Sequence, residues 1–484
     1  MKENIEAHKK GIFLESFPTT FKDAIKVIRN LGLRYIWIDS LCIIQDDTDD
    51  WMRESEHMGR VYGSAELVLA ATVASSADDG FLKNRPRMKS GRVHINLGNK
   101  NDPLNMEEVN PDGESDNNNG SELVQCNYRI ASKHAHEAKL PLDKRAWAHQ
   151  ERLLATRYIS FRHDEIRFDC LEGSDCECGW MHAKNHYRNY TMNLGNKLKQ
   201  DSKMGGAEVW SDIVKDYCRR ELTERSDKPV ALSAVASRFH TKFGDTYLAG
   251  LWRKNLIRGL LWRVNPFGIT HPPIPSKPEP FYAPSWSWIS VDAKDIYLPD
   301  TYPLDDSALV QISCAFTTPA TSNQFGPVSE GHIRLQGKLV QFTLHISTST
   351  PSRFFFLFNQ KNIRRWIQFS DDTLKLRSLH LDLPLTAGVQ TQDHTTGNAT
   401  ISARRIIHDK KDSIQEVFAD YTAWALPLMA NDYGTYLLVL GLSPERPGCY
   451  QRLGYGELYN PVNSRSEMKN YISNKFESRE ITIV

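Results

Sequence analysis

Four residues in this chain have the types of a metal site. Cys170, Cys176, Cys178 and His182 stand in a C-x5-C-x-C-x3-H array. Zinc takes four such ligands in a tetrahedron, but this array lacks the usual paired C-x2–4-C knuckles, so free cysteines in a loop is the preferred reading. A second group lies earlier. Asp39 and Cys42 directly follow the apolar run RYIWI, at the expected carboxyl end of a strand, where open α/β sheets hold ligands. Glu54, on the next helical stretch, is placed to face the same crevice. Each has a plainer reading. Asp39 can cap the turn that follows it through backbone N–H groups, and Cys42 can be a small buried residue. No histidine adjoins Cys42 as a general base; His57 and His149 qualify only if folding brings them near. The SWSW run at 285–288 is aromatic enough to stack on a base, but core packing is the stronger expectation. No GxGxxG or Walker-type phosphate loop occurs.

The elements that must position these residues read as follows. Phe21, Ala24, Ile25, Ile28 and Leu31 fall on one face of a helix over 20–31. Thr20 with Asp23 resembles a capping box, and Gly32 is a C-terminal stop. RYIWI reads as a buried strand. A helix starting near Asp50 carries Trp51, Glu54, Met58, Val61 and Tyr62, and ELVLAAT reads as another strand. This alternation predicts an α/β layer with a mostly parallel sheet. Residues 84–135 are polar and aperiodic, an expected disordered insertion. Order returns at PLDKRAWAHQERLLATRYISF, with a helix around Trp147, Leu153 and Leu154, then the strands RYISF and EIRFDC. Residues 183–207 are polar again. Three more helices are expected, at 209–218, in SDKPVALSAVASRFHTKF and in YLAGLWRKNLIRGLLWRV. HPPIPSKPEP breaks any helix, and from APSWSWISV onward the chain reads as mostly β, as in HIRLQGKLVQFTLHI and TYLLVLGL. The divisions expected are 1–170, α/β; 171–275, helical; and 280–484, β-rich.

The whole chain bounds the function classes. It has 484 residues, 60 basic and 59 acidic, for a formal net charge of +1. That balance gives no global electrostatic reason to expect a nucleic acid or an anionic membrane as the main partner. The first residues contain no apolar stretch of the secretory kind, and no run of about 18 apolar residues suggests a membrane span. Eight scattered cysteines fit a reducing compartment better than a disulfide scaffold. A cytoplasmic protein is expected.

Several stretches resemble one family, the fungal heterokaryon-incompatibility (HET) domain proteins. Its pattern LPxTFxDAI…LGxRYLWIDSLCIIQDD appears as FPTTFKDAIKVIRNLGLRYIWIDSLCIIQDD. DWxxExxxMxxVYxxAxLxLAA appears as DWMRESEHMGRVYGSAELVLAA, and RAWxxQERLLxxRxxxF as RAWAHQERLLATRYISF. A downstream trail common in the same proteins follows, in RRELTERSDKPVALSAVA, YLAGLWRKNL and APSWSWISV. The resemblance implies a HET domain over about 1–170 with a fold distantly like the TIR (Toll/interleukin-receptor) fold. It implies a role in self/non-self recognition and regulated cell death, with homotypic assembly or another incompatibility protein as partner.

TIR-like domains can cleave the glycosidic bond of NAD with a glutamate that follows a tryptophan in a loop-to-helix segment. Trp147 and Glu151 of RAWAHQE have similar spacing, which makes Glu151 the implied catalytic residue and NAD a possible substrate; no bound cofactor is implied. The competing reading of Glu151 is an ion pair with Arg145 or Arg157, or a helix-surface carboxylate. One departure stands out. The family's opening strand, resembling YxALSYxWG, is absent, and residues 1–15 correspond to the linker after it. A mis-called gene, a decayed paralogue or a fragment is therefore a further expectation.

Overall fold

The computed structural model describes residues 1–83, 90–97, 122–129, 140–163, 165–177, 206–264, 281, 283–299, 308–347, 367–369, 376–381, 402–407, 416–431, 434–458, 465–476 and 478–484. The chain divides into two compact units. The first comprises Met1–Glu54, Arg60–Lys144 and Glu151–Asn196; the second comprises Ser55–Gly59, Arg145–Gln150 and Lys197–Val484. The architecture is mixed α/β with a β-rich C-terminal region. No helix among the described residues is long and apolar enough to cross a membrane.

In the first unit, helix α1 (Thr19–Asn30) forms where the apolar spacing requires it, and Gly32 follows its end at φ +73°. The expected capping box is not made, because Thr20 and Asp23 lie inside the helix and have other partners. Thr20 Oγ1 accepts from the Gly80 N–H at 3.1 Å, and Asp23 Oδ2 accepts from Phe81 and Leu82 N–H at 2.7 and 2.9 Å. The pair thus tethers a loop some 60 residues away. Helix α2 (Thr48–Ser64) is capped by Asp47, whose side chain accepts from the Asp49 and Asp50 N–H groups, satisfying donors that every helix start leaves orphaned.

Strand β1 (Val68–Ala70) follows. Beyond it β2 (Ser90–Leu97) and β3 (Glu122–Arg129) pair antiparallel as a two-stranded ribbon. The insertion expected to be disordered over 84–135 therefore contains paired strands: VHIN and LVQC carry enough β-favouring residues to form a ladder. Its most polar part, 98–121, lies outside the described residues, as does 178–205. Helix α3 (Ala146–Leu154) leads into β4 (Arg157–Phe161), β5 (Ile166–Cys170) and β6 (Ser174–Cys176). The sheet order is β1-β4-β5-β6. Only β1 and β4 run parallel; β4–β5 and β5–β6 are antiparallel. The expectation of a mostly parallel sheet is corrected accordingly. Short links after β4 and β5 can only reverse the chain, whereas a parallel pair needs a long crossover, which 71–156 supplies for β1 and β4.

RYIWI is not a strand. Leu33–Ile38 runs into a short helix, Asp39–Cys42, without a ladder partner among the described residues. β-Propensity describes fitness for a pleated, half-buried surface, and among the described residues no neighbouring strand pairs with this segment. Tyr35 is 86% exposed, while Trp37 lies edge-on to Tyr62 at 5.6 Å.

In the second unit, helices α4 (Ala207–Cys218) and α5 (Asp227–Phe243) bear out the reading of 209–218 and of the SDKP segment. The expected helix in YLAGLWRKNLIRGLLWRV is corrected. The segment contains β7 (Tyr247–Leu248) and β8 (Leu251–Trp252), a 3-10 turn, one helical turn at Leu256–Gly259 and β9 (Arg263–Val264). Leu248, Leu251, Trp252, Leu256, Leu260 and Leu261 are all buried, so their spacing reflects burial on every side and not one helical face. Ala249 at φ +42° and Gly250 at φ +92° turn the chain between β7 and β8. Trp262, Trp286 and Trp288 are fully buried, so SWSW packs in the core. Strand β10 (Ile296–Tyr297) pairs with β9.

The C-terminal region is a ten-stranded sheet, whose main path runs β11 (Gln311–Pro319), β12 (Val328–Lys338), β20 (Ser478–Ile483), β19 (Tyr450–Leu458), β18 (Gly434–Leu442), β17 (Glu416–Asn431), β13 (Val340–Ser347) and β14 (Ile367–Phe369). β15 (Leu376–Leu381) and β16 (Ser402–Ile407) join β19 and β17. TYLLVLGL falls in β18, buried along nearly its whole length as a strand covered on both faces must be.

Candidate functional site

In the first unit one carboxylate bonds a phenol and a second acts on it through its charge. Glu151, on α3, accepts a hydrogen bond from the Tyr62 hydroxyl near the end of α2, and the charge of Asp39 also bears on Tyr62. Burial, then the Glu151 and Asp39 carboxylates, raise the Tyr62 phenol well above its ordinary range. At any physiological pH it therefore remains a hydrogen-bond donor, which orients the Glu151 carboxylate. The Trp37 ring closes against Tyr62. Asp39 is exposed and opens the helical turn Asp39–Cys42, where its Oδ1 accepts from the Ser40 N–H at 2.7 Å. The capping reading of Asp39 is corrected in part: Asp39 is the first residue of the turn, Ile38 holds the cap position without a side-chain cap bond, and the Asp39 carboxylate bonds only its neighbour's N–H, while its charge acts on Tyr62. Two carboxylates around an aromatic pair can stabilise a developing positive charge.

A buried ionic group underlies this constellation. Arg152, next to Glu151, bonds Asp169 Oδ2 at 3.1 Å and lies over the Tyr158 ring at 5.5 Å. Arg162 Nη1 stands 3.5 Å from Asp143 Oδ2. Burial raises the Tyr158 phenol; Arg152 opposes this, while Asp143, Glu151 and Asp169 reinforce it. The ordinary proximity of helix and strand explains this packing: Val68, Ala70, Ala155 and Tyr158 form one cluster with Tyr62 against it.

The other sequence candidates have separate surroundings. Arg157, a proposed partner of Glu151, pairs with Glu66 at 3.0 Å. Glu54 lies 3.8 Å from the Arg53 guanidinium on its own helix. Cys42 is exposed, so its reading as a buried residue is corrected: the Asp39–Cys42 turn leaves it facing solvent. In the second unit, Trp147 Nε1 donates to Asp227 Oδ2 at 3.1 Å, and His149 Nδ1 stands 3.1 Å from Asp216 Oδ2. His149 and Arg220 together hold the Asp216 carboxyl far below its ordinary range, against the opposing effect of burial. Cys170 and Cys176 are not joined in a disulfide, and Cys178 and His182 lie outside the described residues. No group of three metal-ligating side chains occurs among the described residues.

Sequence reasoning read Tyr62 only as part of a helix face and did not single out Asp216 at all. Tyr62 meets Glu151 only through folding, and Asp216 offers only the ordinary i,i+4 spacing to Arg220, its other partner, His149, coming from a distant segment.

The thiols differ enough to be separated by labelling. Burial pushes the Cys218 thiol up to about 12, against about 8.5 for a free thiol. Because the thiolate is the reacting form, native protein at pH 8.5 should alkylate at Cys42 and leave Cys218 unmodified until denaturant is added. Peptide mapping that found Cys218 alkylated as fast as Cys42 in native protein would contradict this burial.

Residues 1–151 match the family model described as Heterokaryon incompatibility protein (HET). No curated protein and no solved structure matches the chain significantly.

Proposed function

This chain carries a heterokaryon-incompatibility domain over residues 1–151, and from that premise we propose that it is a cytoplasmic factor of self/non-self recognition in regulated fungal cell death. The domain match carries this reading. Its partner is a second copy or another incompatibility protein. The test is induced expression of the full chain in a filamentous fungus, with cell death scored by dye uptake. Death that depends on an incompatible partner strain is expected; equal viability across all partner strains would rule the reading out.

A second reading concerns the output, and the Tyr62 bond to Glu151 under the charge of Asp39 favours it. In this reading the domain is TIR-like and cleaves NAD to nicotinamide and ADP-ribose. The bond between ribose C1′ and the nicotinamide nitrogen breaks, the pair leaves with nicotinamide, and water adds at C1′ with release of a proton. Glu151, held by Tyr62, stabilises the oxocarbenium-like transition state. Trp147 follows as a neighbour on the same helix, and Asp39 adds negative potential. Nicotinamide release should fall by roughly 100-fold or more in Glu151→Ala. Tyr62→Phe, which removes one hydrogen bond to a charged group, should lose about tenfold. Chromatographic assays showing equal release from wild type and Glu151→Ala would sink the enzymatic reading and leave the recognition role standing.

A further inference from the structure

From Leu33 to Ile38 the chain runs with no turn, no bend and no residue at positive φ, and it reaches Ile38 at φ −131° and ψ 122°. Both ends are tied. The Leu33 N–H donates to the Ile28 carbonyl at 2.9 Å, closing helix α1, and the Ile38 carbonyl accepts from the Leu41 and Cys42 N–H groups at 3.0 and 2.9 Å, opening the turn at Asp39–Cys42. Between these ties the N–H groups of Arg34, Tyr35, Ile36 and Trp37 have no hydrogen-bond partner among the described residues. The side chains are strand formers. Trp37 backs the segment against Tyr62, while Tyr35 is 86% and Ile36 37% exposed. An extended segment with open backbone donors is a template for another strand, and natural proteins often blunt such edges with lysine or proline. From Tyr35 to Ile38 this one carries neither. Its only charge is Arg34, at one end, and the exposed Asp39 stands just past the other.

We propose that Arg34–Ile38 is a self-pairing edge, on which a second copy of this chain lays the same segment antiparallel, with Ile36 opposite Ile36. This gives the second copy of the recognition reading its surface. The consequence for cell death rests on that reading; the contact itself does not. In this register Tyr35 lies opposite the partner's Trp37, and Arg34 opposite the partner's Ile38. Opposed residues share a face, so the aromatic pairs fall on one face and the isoleucines on the other, the kinds of pairing that stabilise antiparallel strands. Charge selects both the occupant and the direction. Antiparallel pairing sends the two Arg34 groups to opposite ends, about 14 Å apart at the usual strand rise, and brings each within one residue of the partner's Asp39. Parallel pairing would set Arg34 beside Arg34. A segment that complements itself in charge suits a two-fold contact, in which one surface serves both copies.

The test is sedimentation velocity of the full chain over a range of concentrations. A monomer–dimer equilibrium is expected. Ile36→Lys, which sets two cations face to face at the centre of the pairing, should abolish it. Arg34→Asp and Asp39→Arg should each weaken it about tenfold, by turning two exposed ion pairs into repulsions. Mixed together, those two variants should recover a heterodimer, since each then meets the opposite charge; a folding fault in one would not be repaired by the other. On the unaltered chain, hydrogen exchange at alternate amides of Arg34–Trp37 should slow as concentration rises. A chain that stays monomeric, a dimer that Ile36→Lys leaves intact, or a dimer whose Arg34–Trp37 amides exchange as fast as the monomer's overturns the proposal. Equal viability across partner strains with the dimer present would instead fail the recognition reading and leave this contact standing.

Discussion

Gly250→Val should destabilise the second unit by about 2–6 kcal/mol, from backbone strain and overpacking together. Gly250 sits at φ +92°, a region open to glycine and costly for a β-branched residue. A Cβ there would stand 2.6 Å from Trp288 Nε1, 2.9 Å from Trp288 Cε2 and 3.1 Å from Ile289 Cδ1. The neighbours cannot step aside, because the Gly250 carbonyl accepts from both Trp210 Nε1 and Trp288 Nε1, each at 2.9 Å. Moving the loop would therefore cost two buried hydrogen bonds as well. A urea titration followed by tryptophan fluorescence is the natural measurement, since these indoles report their own release from the core. Gly244→Ala makes the control. Gly244 also has positive φ, at +57°, but a Cβ there meets nothing within 4 Å, so the cost should be only about 1–2 kcal/mol. Equal midpoints for the two variants would show that the tryptophan contact does not constrain Gly250.

The second large effect is expected at Asp169→Asn in the first unit. Asp169 is 4% exposed and bonds Arg152 at 3.1 Å, and it also favours the charged form of Arg167, which burial, Arg162 and Arg152 all disfavour. Removing the carboxylate charge leaves buried guanidinium groups without their compensation, a loss of about 3–5 kcal/mol for a broken buried pair. The shape is nearly kept, so the loss would be electrostatic and not steric. Glu66→Gln, which disturbs an ion pair at the surface with Arg157, should cost no more than about 1 kcal/mol. Thermal unfolding of the two variants side by side decides the point. A melting temperature for Asp169→Asn no lower than that of Glu66→Gln would mean that water reaches the cluster and screens it. Because Arg152 is adjacent to Glu151 in sequence, the same variant is also expected to loosen the carboxylate held by Tyr62.

Much of the fold was legible in the sequence where local rules and tertiary packing agree. Helix α1 announced itself through its apolar stripe and Gly32, and α2 through the acidic residues at its start. RYISF and EIRFDC are strands as expected, but the face that is buried is not simply the apolar one: Ser160, Arg167 and Asp169 are buried while Ile159, Ile166 and Phe168 are only partly so. The failures have physical causes. RYIWI carries strand-forming residues, but a strand exists only where another backbone supplies hydrogen bonds. YLAGLWRKNLIRGLLWRV shows apolar residues at spacings that suit a helix, yet every one of them is buried, and total burial erases the information that periodicity carries. Thr20 and Asp23 have the right spacing for a cap, but a cap requires non-helical backbone at the first residue, and Thr20 already lies within α1.

The candidate site divides in the same way. Residue type and position at an expected strand end nominated Asp39, whereas Glu151 and Trp147 were implied by the family resemblance that their motif carries. Composition by itself determined that the chain has material for a large core and near-zero net charge. Only the tertiary structure decided that Glu151 bonds Tyr62 within reach of the Asp39 charge, that Trp147 turns to Asp227, and that Cys42 faces solvent while Cys218 is sealed. The reason is one of range. Propensity, periodicity and capping act over a few residues of chain, whereas hydrogen bonds, charge pairing and pKa shifts depend on a few ångströms of space, and Tyr62 and Glu151, 89 residues apart, share that space only after folding.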